Sequence, residues 1–241
     1  MAKRWNQKGR VVILPYTTDE PISLIGEMAG ICYGSDTSKE EKNFKRGLEC
    51  IKNNHGRTLE FPKIYMVLEG WSAKVLREVY THIVDTTRLQ ASTRYINYDN
   101  FKFITPPSIQ NNDAAAQIYN EEMENIRNSI KKLEELGIPK EDASGLLPLN
   151  YESKMVWELG LRELIAVMSV RKCARAYHEI RDLMKEIEDA LAIYSDQWNL
   201  LVKDMKIFKC KCEYTQKCSE KFGCGRFPKE EESNAEKLIT F

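Results

Sequence analysis

The sequence predicts an α+β fold, a single domain in which a small sheet is flanked by long helices. Two long stretches, 113–136 and 174–202, repeat apolar residues at the period of an α-helix. Only two short stretches, 63–69 and 154–159, have the pattern of strands. The 241 residues, 42% of them hydrophobic and 30% charged, are enough to build a real core.

The N-terminal third is predicted to alternate helix and strand. A capping box at 38–41 predicts the start of a helix, because its serine and glutamate can satisfy each other's free backbone donors. The apolar side of this helix is formed by Phe44, Leu48 and Ile51. The strand at 63–69 then places Ile64, Met66 and Leu68 on one face. Ser72 caps the next helix, whose predicted apolar face consists of Val75, Leu76, Val79, Tyr80 and Ile83.

The middle of the chain is predicted to be a polar loop followed by a long helix. Residues 88–100 are polar and aromatic, and the prolines at 106–107 close the loop. The helix at 113–136 stops at Gly137. Its inward side is formed by Ile118, Met123, Ile126, Ile130 and Leu133. Pro139 begins a short helix that Pro148 ends.

The C-terminal part is predicted to contain the strand at 154–159, an apolar helix at 162–170 and the long helix at 174–202. The core stripe of the long helix consists of Tyr177, Ile180, Met184, Ile187, Leu191 and Trp198. The charged tail after Glu230 is expected to be mobile.

Charge and composition exclude several classes of protein. The 36 basic and 36 acidic residues cancel, which argues against a nucleic-acid polymer as partner. No apolar run approaches the roughly 20 residues that a membrane span needs. The first residues have no apolar stretch of the kind found in secretion signals, so we expect a cytoplasmic protein with no membrane partner.

Four of the seven cysteines lie close together near the C-terminus. They are Cys210, Cys212, Cys218 and Cys224. Zinc could take four thiolates, but the spacing lacks paired C-x2-C motifs. Free thiols or a disulfide stay open as alternatives, and we assign no metal ligands from the sequence. The isolated cysteines, Cys32, Cys50 and Cys173, are expected to be reduced and packed.

Residues 77–95 combine the end of a helix with a histidine, arginines and several hydroxyl side chains. Such a set suits a phosphate or a planar hydrogen-bonding ligand, because a guanidinium makes forked contacts. A solvated polar turn is the alternative.

His82 and Ser92 stand in this segment at the spacing of a known fingerprint. This fingerprint consists of Arg-His-Arg, then seven or eight residues, then Ser. It belongs to the flavin-dependent thymidylate synthase family (ThyX), and the segment resembles it. Thr81-His82-Ile83 and Ser92 keep the histidine and the serine but lack both arginines. The sequence therefore resembles a divergent member of this family.

Further stretches resemble the same family in order and spacing, between about residues 28 and 190. Residues 55–60 are similar to its His-x-Ser/Thr-x-x-Glu segment, and 143–149 to its Ala-Arg-x-Val-Leu-Pro-Leu segment. Residues 160–171 are similar to a helix with two arginines, and 178–180 to a Trp-Glu-Ile segment. The ordered series covers most of the chain.

The resemblance implies a small, mostly antiparallel sheet in a catalytic domain at 1–205. A cysteine-containing extension at 206–241 would pack on this domain or trail from it. The implied reaction is reductive methylation of dUMP at C5, with methylenetetrahydrofolate as carbon donor, FAD as cofactor and NADPH as reductant. The family assembles as a homotetramer whose sites are shared between subunits.

The resemblance also implies roles for individual residues. The substrate-binding residues would be Glu78, Gln90, Ser92, Arg94 and Arg171, and Arg171, placed at the pyrimidine, would be catalytic. The FAD-binding residues would be His55, Arg57, His82 and Arg162. Side chains that usually bind ligands are replaced at Thr81, Ile83, Ser144, Gly160 and Ala166. Arg88 is close enough in sequence to replace one lost arginine, and we expect Arg94, Arg162 and Arg171 to share one pocket.

Structural and functional alternatives stay open. His55 could cap a helix end, His82 could be a half-buried helix residue, and the helix arginines could pair with a buried carboxylate. The chain could also modify another pyrimidine nucleotide, by UMP methylation or by hydroxymethylation. A third alternative is a nucleotide-binding homologue without catalysis.

Overall fold

A computed structural model describes residues 9–229, which form two compact units. The first unit consists of residues 9–18 and 62–160, and the second of residues 19–61 and 161–229. The tail after Glu230, for which mobility was predicted, lies outside the described residues.

The strands are β1 Arg10–Ile13, β2 Lys63–Ser72, β3 Thr86–Gln90 and β4 Glu152–Gly160. In chain order the helices are α1 Pro21–Cys32, α2 Glu40–Lys52, α3 Ala73–Val79, α4 Pro107–Gln110, α5 Asp113–Glu135, α6 Lys140–Ala143, α7 Leu161–Arg171, α8 His178–Tyr194, α9 Asp196–Asn199 and α10 Lys211–Thr215. Two 3-10 turns, Gly56–Glu60 and Ser144–Leu146, and a π-helical turn, Leu200–Asp204, complete the described elements.

The first unit is built on a four-stranded sheet in the order β1-β2-β4-β3, with every neighbouring pair antiparallel. The alternation predicted for β2 is confirmed, since Ile64, Met66 and Leu68 are buried. On β4 the buried side chains are Met155, Trp157 and Leu159. The predicted α+β fold with a small antiparallel sheet and long helices is therefore confirmed.

The edge strand β3 is an element that the sequence analysis placed in a loop. Its residues pair with β4, and the Thr86 hydroxyl donates to the Glu158 carbonyl at 2.9 Å. The indole of Trp157 donates to the same hydroxyl at 2.7 Å. The strand is held by a partner about 70 residues later, which local sequence does not reveal.

Helices α3 and α5 lie in the first unit as predicted. The Ser72 hydroxyl accepts a hydrogen bond from the Val75 amide at 3.2 Å, which confirms the predicted cap. However, α3 ends at Val79, so Ile83 is 76% exposed and lies outside its apolar face. In α5, Met123 and Ile130 are buried as predicted, whereas Ile118 is exposed.

The helix hairpin α1–α2 belongs to the second unit, and its start differs from the prediction. The Ser38 hydroxyl does not cap α2; it donates to the Asp36 carboxylate at 2.6 Å. The predicted capping box is therefore wrong. The two helices cross in backbone contact at Gly26 and Gly47, where an added Cβ would lie 1.8 and 1.9 Å from the facing carbonyl oxygens.

The long helix predicted at 174–202 is interrupted in the structure. Helix α8 begins at His178 and ends at Tyr194, because Ser195 is extended with φ −153° and ψ 163°. The Ser195 hydroxyl then accepts from the Trp198 amide and starts α9. The predicted stripe is buried at Ile180, Met184, Ile187, Leu191 and Trp198.

Within residues 9–229, no helix combines the length and the apolar character that crossing a bilayer requires.

Candidate active site

The predicted site residues fall into two groups, one in each unit. The β3 group lies in the first unit and consists of Glu78, His82, Gln90, Ser92 and Arg94. The α7 group lies in the second unit and consists of His55, Arg57, Arg162 and Arg171.

Gln90 and Ser92 of the β3 group are positioned by the end of the sheet. Gln90 is the last residue of β3, and its amide donates to the Ser153 hydroxyl on β4 at 3.3 Å. The Ser92 hydroxyl accepts from the Arg94 amide at 3.1 Å, which forms a local turn. These contacts fix the direction of the backbone at Ser92, the serine of the fingerprint.

Arg94 is held by a carboxylate. Its Nε donates to Glu141 Oε2 at 2.6 Å, and its guanidinium carbon lies 5.7 Å from the Tyr95 ring centre. Ser144, where the family carries an arginine, donates its hydroxyl to the Glu141 carbonyl at 3.0 Å. Arg94 and Ser144 therefore contact the same residue, Glu141, which the sequence analysis did not single out.

Arg88, suggested as a replacement for a lost arginine, is engaged elsewhere. Its Nη1 donates to the backbone carbonyls of Val79, at 3.0 Å, and of His82. Its guanidinium carbon also lies 5.0 Å from the Tyr80 ring centre. Arg88 thus adds a side-chain hydrogen bond to the Val79 carbonyl, which also accepts from the His82 amide at 3.2 Å, and fixes the backbone at His82.

In the α7 group, a 3-10 turn and the start of α7 bring three predicted residues together. The His55 carbonyl accepts from the Thr58 amide at 3.0 Å and from its hydroxyl at 2.7 Å, which closes the turn. Arg162 Nη1 pairs with Glu60, and both side chains are about half exposed. A Cβ on Gly56 would lie 3.3 Å from the Arg162 guanidinium carbon, so glycine lets the turn approach this arginine. His55 does not use its side chain as a cap.

Arg162 and Arg171 leave α7 on opposite sides. They are nine residues apart on one continuous helix, which corresponds to about two and a half turns and about 13 Å along the axis. Arg162 is exposed and Arg171 is half-buried. A pocket on one face of α7 within one chain therefore receives only one of the two arginines. That they share one pocket stays a prediction.

The space beside Gly160 is filled by an ion pair. A Cβ on Gly160 would lie 2.1 Å from Asp85 Oδ2 and 3.5 Å from Lys63 Nζ, and these two side chains form a salt bridge. Asp85 has a positive φ of 44°, which an aspartate tolerates better than most residues. The side chain that the family carries at position 160 has no room here. The sequence shows the glycine at this position but not the Asp85–Lys63 pair that fills the space.

Five cysteines line one cavity in the second unit: Cys173, Cys210, Cys212, Cys218 and Cys224. All five are free thiols in the structure. The pKa of Cys212 is raised to about 11, first by burial and then by its hydrogen bond with the Cys218 thiol. Sequence spacing grouped the last four but missed Cys173, which lies 37 residues before Cys210.

The donors of the α7 group fit an anionic, aromatic cofactor such as a flavin dinucleotide. Arg57 is exposed on the 3-10 turn, and among residues 9–229 no carboxylate partner is found for it. Together with Arg162 and His55 it provides the charged and ring donors that a pyrophosphate accepts. The residues present are therefore chemically suited to FAD.

Comparison with solved structures defines the fold. The chain is similar to the crystal structure of Helicobacter pylori thymidylate synthase X with FAD and dUMP, at a TM-score of 0.61 and 21% identity. The similarity covers 79% of this chain and 96% of that one. A second structure of the same H. pylori enzyme gives a TM-score of 0.61 at 20% identity and covers 76% and 93% of the two chains. Both comparisons show a shared α+β fold.

Sequence comparison shows the family. The profile of the family described as "Thymidylate synthase complementing protein" matches residues 13–193, and the chain belongs to this family. The flavin-dependent thymidylate synthase of Geobacter sulfurreducens is 28% identical over 74% of this chain and 80% of its own length. That of Nitratidesulfovibrio vulgaris is 26% identical over 91% of this chain and 95% of its own length. All predicted site residues lie inside the matched range.

Proposed function

We propose that this protein is a flavin-dependent thymidylate synthase. It transfers a one-carbon unit from methylenetetrahydrofolate to C5 of dUMP, uses reduced FAD to form the methyl group, and takes its reducing equivalents from NADPH. The observation that carries this proposal is the unbroken family match over 13–193, which includes every residue of the β3 and α7 groups. The two relatives compared above are both named for this activity.

His55, Arg57 and Arg162 would hold FAD, with His82 as a further contact from the β3 group. The arginines would bind the cofactor's phosphates through charge-assisted hydrogen bonds. When bound, the flavin supplies the hydride chemistry, which no side chain of the protein can provide. Glu60 holds Arg162 in place before the cofactor arrives.

Ser92, Arg94, Gln90 and Glu78 would bind the nucleotide, and Arg171 would lie at the pyrimidine. Uracil C5 is a weak nucleophile unless negative charge that develops on the ring is stabilised. A fixed guanidinium does this most effectively when water is excluded from its surroundings. Arg171, half-buried at the end of α7, has the charge and the burial for this role.

The missing arginines predict weak ligand binding. Thr81, Ile83 and Ser144 are uncharged where the family carries arginine, and each lost charge-assisted hydrogen bond costs about 1.5–3 kcal/mol. Arg88 does not compensate, since its guanidinium already binds two backbone carbonyls. We therefore expect higher Michaelis constants than those of relatives with the full fingerprint.

A second candidate is the modification of another pyrimidine nucleotide, such as UMP methylation or hydroxymethylation. It is favoured by two altered nucleotide contacts. Glu78 stands where the family usually carries glutamine, and Gln90 where it usually carries glutamate. A carboxylate only accepts hydrogen bonds whereas an amide both donates and accepts, so the two positions would contact a different set of ligand atoms. A non-catalytic homologue is the third candidate, and it rests on the same missing arginines.

We also propose a homotetramer with sites shared between subunits, in the cytoplasm. The opposite directions of Arg162 and Arg171 support sharing, because they suit two ligands on two sides of α7. Seven free cysteines fit a reducing compartment.

The decisive experiment is the release of tritium from C5-labelled dUMP by the purified protein with FAD, NADPH and methylenetetrahydrofolate. Release from dUMP but not from labelled UMP supports the proposal, and the reverse preference supports the second candidate. A colourless protein that takes up no FAD and releases no tritium from either nucleotide contradicts both.

Substitution of Arg171 by alanine tests the residue assignment. We expect Arg171→Ala to lose at least about a hundredfold in turnover, because a removed electrostatic stabiliser costs this much. Arg181→Ala, an exposed arginine on α8, is the matched control and should leave turnover unchanged. An unchanged rate in Arg171→Ala would show that the pyrimidine contact is made by another residue.

A further inference from the structure

The thiol cavity is a feature that thymidylate synthesis does not use. Cys173 follows α7, whereas Cys210 and Cys212 flank the start of α10 and Cys218 and Cys224 lie in the turns after it. Two segments far apart in sequence therefore deliver their cysteines to one place.

Burial divides the five cysteines. Cys210 and Cys218 are 4% and 7% exposed, Cys173 and Cys212 are half-buried, and Cys224 is exposed. Cys212 is hydrogen-bonded to the Cys218 thiol. The four less exposed cysteines of the cavity, Cys173, Cys210, Cys212 and Cys218, therefore form one group, and Cys224 is the exposed fifth.

The backbone around this group is fixed by its own hydrogen bonds. The Cys210 amide donates to Glu213 Oε2 at 2.8 Å, and the Cys210 side chain caps the first turn of α10. The Cys218 amide donates to the Pro228 carbonyl at 2.7 Å. The backbone positions of Cys210 and Cys218 are thus set by the fold.

The size of the cavity limits what it can hold. Its volume of about 10 Å³ is close to the space of one water-sized sphere. This is room for a single ion. Thiolate donors select soft or borderline metals, and four of them around one ion are typical of structural zinc.

Two arginines and one carboxylate, Arg175, Arg226 and Glu220, line the cavity. Arg175 is paired with Glu220 at 2.6 Å and Arg226 with Glu213 at 3.5 Å. A zinc ion with four thiolates carries two negative charges, so adjacent guanidinium groups stabilise it.

We propose that Cys173, Cys210, Cys212 and Cys218 bind one zinc ion. Among residues 9–229, no three potential ligands are already arranged around a common point, so binding requires the thiols to turn inward. The proposal therefore requires rotation of these side chains about their Cα–Cβ bonds between staggered positions. The ion would link Cys210, Cys212 and Cys218, which lie at the start of α10 and after it, to Cys173, which lies two residues after Arg171.

The zinc content of the full chain, purified with reductant and without chelator, tests this proposal directly. We expect about one zinc ion per chain by elemental analysis. Replacement by Co²⁺ should give the intense visible absorption of a tetrahedral thiolate site. A protein that contains no zinc and binds neither Zn²⁺ nor Co²⁺ overturns the proposal, as does iron with acid-labile sulfide.

Single substitutions identify the ligands. Cys173→Ser and Cys212→Ser should lose the metal, whereas Cys224→Ser and the distant, exposed Cys32→Ser should keep it. Retention of zinc by Cys173→Ser overturns the assignment of that ligand.

The wild-type protein provides a test that does not depend on the folding of a variant. Titration with a thiol-reactive mercurial should release the zinc as four thiols react, and a chromogenic chelator detects the release. A Cys212–Cys218 disulfide in the purified chain, found by mass spectrometry without reductant, would contradict the proposal.

Discussion

Arg94 and Glu141 show what a single contact adds to a sequence motif. The fingerprint places Arg94 near a nucleotide, but the structure shows that its guanidinium is paired with a carboxylate 47 residues later. If Arg94 binds the phosphate of dUMP as proposed, this carboxylate competes with that phosphate for the guanidinium. Both side chains are about half exposed, so the pair is worth only about 0.2–1 kcal/mol.

Removal of the competing charge should therefore strengthen nucleotide binding. We expect Glu141→Gln to lower the Michaelis constant for dUMP by about two- to fivefold with kcat unchanged, which is the range that such a pair supports. Steady-state kinetics measures this effect. Glu135→Gln, at an exposed site 4.0 Å from Lys131, is the control and should change neither constant. An unchanged constant in Glu141→Gln would mean that Arg94 does not bind the phosphate.

At the residue scale, the sequence predicts which side chains bind a ligand but does not show which residues hold them in place. Arg94, Arg162 and Gly160 could be aligned with motif positions. Their partners Glu141, Glu60 and Asp85 come from other parts of the chain. A motif records residue types at fixed spacing, and it contains no information on a contact that the tertiary fold creates.

Helices α1 and α2 illustrate packing that depends on the absence of side chains. A Cβ at Gly47 would lie 1.9 Å from the Ile22 carbonyl oxygen, which belongs to a rigid backbone. Ordinary helix propensity favours alanine over glycine by about 1 kcal/mol, but the steric conflict reverses this preference.

We expect Gly47→Ala to destabilise the protein by about 1–3 kcal/mol, the usual cost of overpacking. The free energy of unfolding, measured by urea denaturation, checks this value. Gly145→Ala is the matched control, because no atom lies within 4 Å of its added methyl group. Equal stability of the two variants would show that the helices separate at little cost.

The carboxylate of Glu69 connects three strands of the sheet. It pairs with Arg10 on β1 and with Lys154 on β4. The hydrogen bonds from Lys154 and Arg10 lower the pKa of Glu69 below its usual value of 4.5. Because the folded-state pKa is depressed, the stabilisation is present above pH 4.5 and is lost as the pH falls towards the folded value.

Glu69→Gln should therefore destabilise the protein at pH 7 and have a smaller effect below pH 4. Chemical denaturation of both proteins at the two pH values measures the difference. Glu135→Gln, whose pair lies on one exposed helix, should show little dependence on pH. A Glu69→Gln effect that is equal at both pH values would show that its charge is not involved.

At the element scale, helical and strand periods were read correctly in several segments that bury one face, but helix α1 was not predicted although it buries Ile22, Ile25 and Ala29. The helix α5 and the strands β2 and β4 were found in this way. The errors fall where a contact from elsewhere decides the local structure. The Ser38 hydroxyl donates to Asp36 and does not cap α2, and the polar strand β3 forms because it pairs with β4. Ser195 is extended and divides the predicted long helix; its hydroxyl caps α9 and donates to the Asp19 carbonyl.

For the whole molecule, the boundary between 1–205 and 206–241 stays a prediction, but the structure shows what a cut there would remove. Phe208 is only 3% exposed, and its carbonyl accepts a hydrogen bond from Lys172 Nζ at 2.7 Å. Cys210 and Cys218 are also buried. The first part of the extension therefore contributes to the core of the second unit.

A chain that ends at residue 205 should be less stable by at least about 3 kcal/mol, the usual cost of removing a buried phenylalanine. This loss corresponds to a decrease in Tm of roughly 6–12 °C, which a thermal melt would detect. A chain that ends at residue 229 keeps Phe208 and the thiol cavity and is the control. Identical melting of the two shortened chains would mean that 206–229 adds no stability.

The first turn of α1 has a consequence for biosynthesis. The amides of Ile22 and Ser23 donate to the Gln197 side chain, at 2.8 and 3.0 Å, across 175 residues of sequence. At about 5–20 residues per second, a ribosome needs roughly 10–35 seconds to make the intervening chain. The first unit is complete in sequence once residue 160 has left the ribosome, whereas α1 must wait for its partner. The nascent α1–α2 hairpin is therefore the part of the chain that a chaperone would meet for longest.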